Sequence, residues 1–284
     1  MHSLLKSTGT VVLLSLLANS QAAETAAVKT TLPRFDHVLI VIMENEDQER
    51  IIGNPAAPYI NSLARAGANF TDAHAVAHPS QPNYLALFSG STQGVTDNSC
   101  PLAFTGKANL ASQLVAAGLT FTGFSEDLPA PGYTGCAAGE YRRKHNPWVN
   151  FDNVDSGSNQ PFAAFPSGNF AALPTVSVVV PNMCNDNHDC PTATGDSWLK
   201  AKLDGYVQWA KTHNSLLILT WDEDGSRRDN HIVTILVGAR VNPGNYGTTI
   251  NHYTVLRTVQ EIYGLPPIEN TVSAPPITNV WKNP

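Results

Sequence analysis

The chain is poor in positive charge, in long apolar runs and in two common active-site signatures. Its 284 residues hold 17 Lys and Arg against 23 Asp and Glu, a formal charge of −6. That balance gives no electrostatic footprint for nucleic acid. Beyond the N-terminus no segment is long and apolar enough to cross a bilayer as a helix. There is no C-x-x-C pair, which argues against a zinc ribbon or finger. There is no G-x-S-x-G elbow, which argues against acyl transfer. Internal repeats and low-complexity linkers are also missing, so one sizeable domain is expected.

Lys6 precedes the apolar run Val11–Ala18, and Ser20-Gln21-Ala22 offers the small residues of a cleavage site. This reads as a secretory signal peptide over residues 1–23. Residues 24–284 then form a single domain of roughly 260 residues. The expectation is a secreted or periplasmic monomer with no membrane span. The four cysteines are Cys100, Cys136, Cys184 and Cys190. An even count in an exported chain favours two disulfides, Cys100–Cys136 and Cys184–Cys190. The rival is a metal site built on the same thiols.

Short β-branched runs end at polar clusters. His37–Met43 runs into Glu44-Asn45, and Ala73–Ala77 into His78-Pro-Ser-Gln-Pro-Asn-Tyr84. Thr175–Val180 leads to Pro181 through Cys190, and Ser215–Thr220 to Trp221-Asp-Glu-Asp-Gly225. Asp229-Asn230-His231 precedes Ile232–Val237. Such runs without alternation read as strands buried on both faces. Thr120–Ser125 reads as a further short strand. Helices are expected over Pro58–Ala66, Gln81–Ser89, Leu110–Ala117, Ser197–His213 and Thr254–Tyr263. The pattern predicts an α/β fold, a mostly parallel sheet with helices on both faces. Ligands in such folds bind beyond the carboxyl ends of the strands. Residues 126–172, rich in Gly, Pro, Asn and aromatics, read as a long excursion over that edge.

Several side chains there point to metal-assisted hydrolysis, each with a plainer alternative. Ser80 sits before a helix that starts near Pro82, where an anion is favoured and a nucleophile is well placed. It is equally placed to be an N-cap. Glu44 and Asn45 offer two hard oxygen ligands, or simply a turn. Asp222, Glu223 and Asp224 are adjacent acids at a strand end, where a cation is the simplest neutraliser. The alternative is a solvated turn neutralised by Arg227 and Arg228. His188 between Asp186 and Asp189 suits phosphate or metal binding or proton transfer, or is a surface histidine in a pinned turn. His231 and His252, taken alone, are more often structural.

In this order, Met43-Glu-Asn45, His78 to Tyr84, Pro181 to Cys190, Trp221 to Gly225, Asn230-His-Ile232 and His252 to Thr258 resemble the bacterial phosphoesterase family of the alkaline phosphatase superfamily. That family unites secreted acid phosphatases with phospholipases C. The resemblance covers essentially the whole mature chain and implies an alkaline-phosphatase-like fold. It implies a divalent metal among Ca, Mg, Mn and Zn, held by Glu44, Asn45, Ser80, Asp222 and Glu223, with Ser80 as the phosphorylated nucleophile. His188 and His231 would assist proton transfer, and Asn83, Asp186 and His252 would line the substrate pocket. A second metal near Asp186 and His252 stays open. The chain lacks the Gly-Gly that follows the acidic pair in the phospholipases and ends soon after its last helix. It therefore looks more like the compact acid phosphatases, including those acting on phosphoinositides. A phosphodiesterase, with Trp148, Phe162 and Phe165 as an apolar surface for lipid, is the alternative. So is a non-catalytic exported protein that binds metal or phosphate.

Overall fold

The computed structural model describes residues 32–225 and 229–282, together with Met1. The expected signal segment 1–23 and the expected neutralisers Arg227 and Arg228 lie outside the described residues. Eight strands form one sheet. Their order is Gly244–Tyr246, Ala68–Phe70, Thr234–Gly238, Ser215–Trp221, His37–Met43, Val176–Val180, Phe121–Ser125 and Asn159–Pro161. Every pairing is parallel except those of Thr234–Gly238, which runs antiparallel to both neighbours. The central strands are buried along their whole length on both faces. That burial is what their unbroken Val, Ile and Leu runs require.

Helix Pro58–Ala66 packs against Thr192–Ala210, and Ser80–Ser89 packs against His252–Tyr263. All ten residues of Ser80–Ser89 are buried, so this helix is an interior element. It ends at Gly90, whose φ of 71° is the left-handed conformation that glycine adopts without penalty. The last helix starts two residues earlier than its apolar pattern implies, because Asn251 caps it through the Thr254 N–H.

Three expectations need correction. The run Ala73–Ala77 is no core strand: only Ala73–His74 pairs, with Ile250–Asn251 in a separate two-stranded ribbon. The strand that joins the main sheet is Ala68–Phe70, too short to show a pattern of its own. Residues 126–172 are not loop throughout, because Asn159–Pro161 pairs with Phe121–Ser125 at the sheet edge. Both expected disulfides are present, Cys100–Cys136 and Cys184–Cys190.

Candidate active site

Parallel register builds the site. Met43 lies opposite Trp221, so the next residues, Glu44 and Asp222, leave the sheet side by side. The Asp222 N–H donates to Met43 O at 2.9 Å, and the Asn45 N–H donates to Asp222 Oδ1 at 3.2 Å. Asn45 holds a φ of 52°, a left-handed turn that Asn tolerates better than most residues. On the other flank the Glu44 N–H donates to Asp186 O at 2.8 Å, drawing in the segment after Val176–Val180. Because Thr234–Gly238 runs antiparallel, the residues before it, Asn230 and His231, also arrive at this edge.

Ser80 is the first residue of its helix, not the cap; Pro79 holds that place. Its buried hydroxyl reaches Glu44 Oε2 at 3.1 Å and Glu223 Oε1 at 3.0 Å. One hydroxyl proton serves only one of these acceptors at a time, so the second contact needs a proton on a carboxyl or a shared positive charge. Tyr84, one turn along, donates to Glu44 Oε1 at 2.7 Å. His78 bonds Glu223 through Nδ1 and lies 3.3 Å from Asp224 Oδ1 through Nε2.

A residue that sequence reasoning missed completes the cluster. His145 is buried, with Nε2 2.9 Å from Glu44 Oε1 and Nδ1 3.5 Å from Asp186 Oδ2. Its ring stacks on Tyr84 with centroids 5.0 Å apart. The one signal in the chain was the basic run Arg142-Arg143-Lys144-His145, unusual in a segment of Gly, Pro, Asn and aromatics. Glu44, His145 and Asp186 form a group able to hold a metal ion, with ligand atoms within 4.8 Å of one another.

The electrostatics fit a cation. Burial would push the Glu44 carboxyl up, but the His145 imidazole, Lys144 and the Tyr84 hydroxyl outweigh it and hold Glu44 at about 2. Its neighbours move the other way. Burial and the Glu44 charge push Asp186 up to about 9 and Asp222 well above the carboxylate range, and burial raises Glu223. Among the described residues, Asp222 Oδ2 and Asp186 Oδ2 are buried without hydrogen-bond partners. Oxygen donors with one imidazole, crowded and unsatisfied, are the donor set of a divalent cation.

The other expected site residues are placed differently. Asn83 accepts the Val76 and Ala77 N–H groups, both at 3.0 Å, and returns its amide to Ala77 O at 2.8 Å. It braces the turn that carries His78 and Ser80. His252 is buried and donates through Nε2 to Asp222 O at 2.7 Å, and burial lowers it to about 4. It stands behind Asp222; the partner of Asp186 is His145. His231 bonds Glu49 Oε1 at 2.8 Å and stacks on His74. His188 is held by Asp189 Oδ1 at 2.7 Å, with its ring centroid 6.4 Å from that of His145. Trp148 and Phe165 are buried, and Phe162 packs on Phe165 and Trp198. Trp148 and Phe165 belong to the core, and Phe162 is half-buried against it.

The model of the Phosphoesterase family matches residues 54–266. A phosphatidylinositol-3-phosphatase of Mycobacterium tuberculosis is 53% identical over 274 residues, covering 95% of this chain and 92% of that protein. A phosphate-repressible acid phosphatase of Penicillium chrysogenum is 30% identical, covering 87% of this chain and 66% of its own length. Among solved structures, an alkaline phosphatase superfamily protein of Vibrio parahaemolyticus has a TM-score of 0.64 at 14% identity, covering 87% of this chain and 72% of that one. The periplasmic domain of EcEptC from Escherichia coli, solved with Zn, has a TM-score of 0.56 at 10% identity, covering 84% of this chain and 85% of that one. The two solved structures share the fold, while the family model and the mycobacterial relative show more: the chain belongs to the phosphoesterase family and is a phosphoric ester hydrolase.

Proposed function

We propose that the protein is a metal-dependent phosphatase of phosphate monoesters that works through a phosphoserine at Ser80. The observation that carries this reading is the Ser80 hydroxyl, buried at a helix start and within hydrogen-bond reach of two carboxylates at 3.0 and 3.1 Å. An N-terminal cap would turn its oxygen onto the helix N–H groups; this one faces the acids. Glu44, Asn45, Asp222 and Glu223, with His145 and Asp186 adjoining, would hold the cation. When bound, a divalent cation supplies Lewis acidity toward the phosphoryl oxygens and eases ionisation of the serine. Glu223 takes the Ser80 proton as Oγ forms its bond to phosphorus and the ester P–O bond breaks. The helix N-terminus favours the anion, and His188, oriented by Asp189, gives a proton to the departing alcohol. Water then attacks the phosphoserine and gives a proton to His188, the Oγ–P bond breaks as Glu223 returns its proton to Ser80 Oγ, and inorganic phosphate is released.

Kinship with the mycobacterial enzyme supports phosphoinositide 3-phosphates as a substrate class. A non-catalytic binding protein would leave the Ser80 contacts without a purpose. Ser80→Ala is the test. Turnover of p-nitrophenyl phosphate should fall by roughly three orders of magnitude or more. The wild-type protein, quenched during turnover, should carry phosphate on the peptide that contains Ser80. Folded Ser80→Ala protein that keeps more than about a tenth of wild-type turnover would defeat the reading.

A further inference from the structure

The helix that Ser80 opens meets a second polar side chain at its first turn. N–H groups at a helix start have no partner within the helix, and a phosphoryl group on Ser80 Oγ would lie beside them. One of them is already taken. The Gln81 N–H, on the residue next to Ser80, donates to Asn98 Oδ1 at 3.0 Å. Asn98 is exposed and belongs to the chain that leaves the helix at its far end, after Gly90. Ten helical residues span about 15 Å, so residues 91–98 double back along the helix to reach its start.

The hydrogen bond fixes which way the Asn98 carboxamide faces. A backbone N–H can only donate, so the atom that meets it is the amide oxygen, and Nδ2 is the free end. Among the described residues Nδ2 has no hydrogen-bond partner. The surrounding loop is tied down. The Val95 N–H donates to Thr92 O at 3.0 Å, and the Ser99 N–H donates to Asp97 Oδ1 at 3.0 Å. Two residues beyond Asn98, Cys100 is bonded to Cys136, whose carbonyl accepts the Arg143 N–H at 3.0 Å. The loop that carries Asn98 is thus joined to the segment that carries His145. Bracing a helix start explains the oxygen of Asn98 and leaves its nitrogen unused. An acid would brace that start better, because the helix dipole favours negative charge there. What the amide adds is a donor beside the nucleophile.

We propose that Asn98 Nδ2 donates to a nonbridging oxygen of the phosphoryl group at Ser80, so that one carboxamide both braces the helix start and binds substrate. Accepting the Gln81 N–H polarises the amide and strengthens Nδ2 as a donor. A donor held in place before the substrate arrives stabilises the charge on the equatorial oxygens during transfer. The inference rests on the phosphoserine reading above and adds to it a residue that touches the substrate.

The experiment measures melting temperature, kcat/KM for p-nitrophenyl phosphate and the Ki of orthovanadate in metal-replete wild type, Asn98→Asp and Asn98→Ala. Asn98→Asp keeps an oxygen for the Gln81 N–H and replaces the donor with an acceptor. It should melt close to wild type and lose about 100-fold or more in kcat/KM. Asn98→Ala removes brace and donor together, and should lose melting temperature as well as about 10- to 100-fold in kcat/KM. Orthovanadate, a mimic of the transferring phosphoryl group, should bind at least about tenfold more weakly to both variants. A kcat/KM for Asn98→Asp within about threefold of wild type, or an unchanged vanadate Ki, overturns the assignment and leaves Asn98 a brace alone. Should Asn98→Asp fold poorly, the vanadate Ki of folded Asn98→Ala decides on the same tenfold criterion. No monoester release by wild type defeats the phosphatase reading and this inference with it. Release by wild type together with a fully active Asn98→Asp defeats this inference alone.

Discussion

At the scale of single residues, Glu44 is the hub. One oxygen takes Ser80 and the Asn45 amide, the other takes Tyr84 and His145. These partners let it stay ionised, and burial together with its charge then pushes Asp222 to hold a proton, with no hydrogen-bond partner for Oδ2 among the described residues. Asp222→Asn separates a ligand from a structural acid. An amide of the same shape removes the carboxyl that burial penalises, so the metal-free variant should melt at or above the wild-type temperature. The rise in melting temperature on adding divalent metal should shrink, because a ligand of the folded state is gone. Bound metal, counted by elemental analysis, should fall in step. Full metal content in the variant would exclude Asp222 as a ligand.

At the scale of elements, the strand ends were legible and the loop was not. Glu44-Asn45 and Asp222-Glu223 could be read because each follows a long apolar run whose end is unambiguous. The parallel register Met43 to Trp221 then brings them together without further information. Ser80 was legible through Pro82, although its helix starts at Ser80 itself. His145 was not, because no periodicity runs through residues 126–172, and its place depends on tertiary contacts. One of those contacts is open to test. Gly123, inside Phe121–Ser125, lies under Trp148 so closely that a Cβ there would sit 2.2 Å from the indole. The same indole donates to Asn159 Oδ1 at 2.8 Å, fixing the loop to the edge strand. Gly123→Ala must therefore displace Trp148, three residues from His145. It should cost about 1–3 kcal/mol of stability and reduce kcat/KM at temperatures where the protein is still folded. An unchanged melting temperature would show that the loop is held elsewhere.

At the scale of the whole molecule, buried acids couple the fold to protons and metal together. Asp186, with a folded value of about 9, keeps a proton that the unfolded chain releases near 4. A raised acid contributes stability that is fully present below the unfolded value and is lost as pH rises toward the folded one. Asp222 and Glu223 act in the same direction. His252 is lowered from 6.5 to about 4 by burial, so its contribution is present above 6.5 and is lost as pH falls through 4. His145 is lowered in the same sense by burial. Above pH 6.5 the buried histidines are neutral in both states. The acids contribute less stability as pH rises, joined by His74, which partial burial lowers less than its bonds to Asp72 and the Asp229 carbonyl raise it. Chelated protein should then lose melting temperature between pH 6.5 and 9, roughly 4 °C or more. Metal-replete protein should lose less, since a bound cation stabilises the ionised carboxylates and binds better as protons cease to compete. Melting curves with chelator and with excess metal, at matched ionic strength, check this. A flat chelated profile, or the same slope in both, would mean that the acids at the strand ends are neutralised by the protein alone.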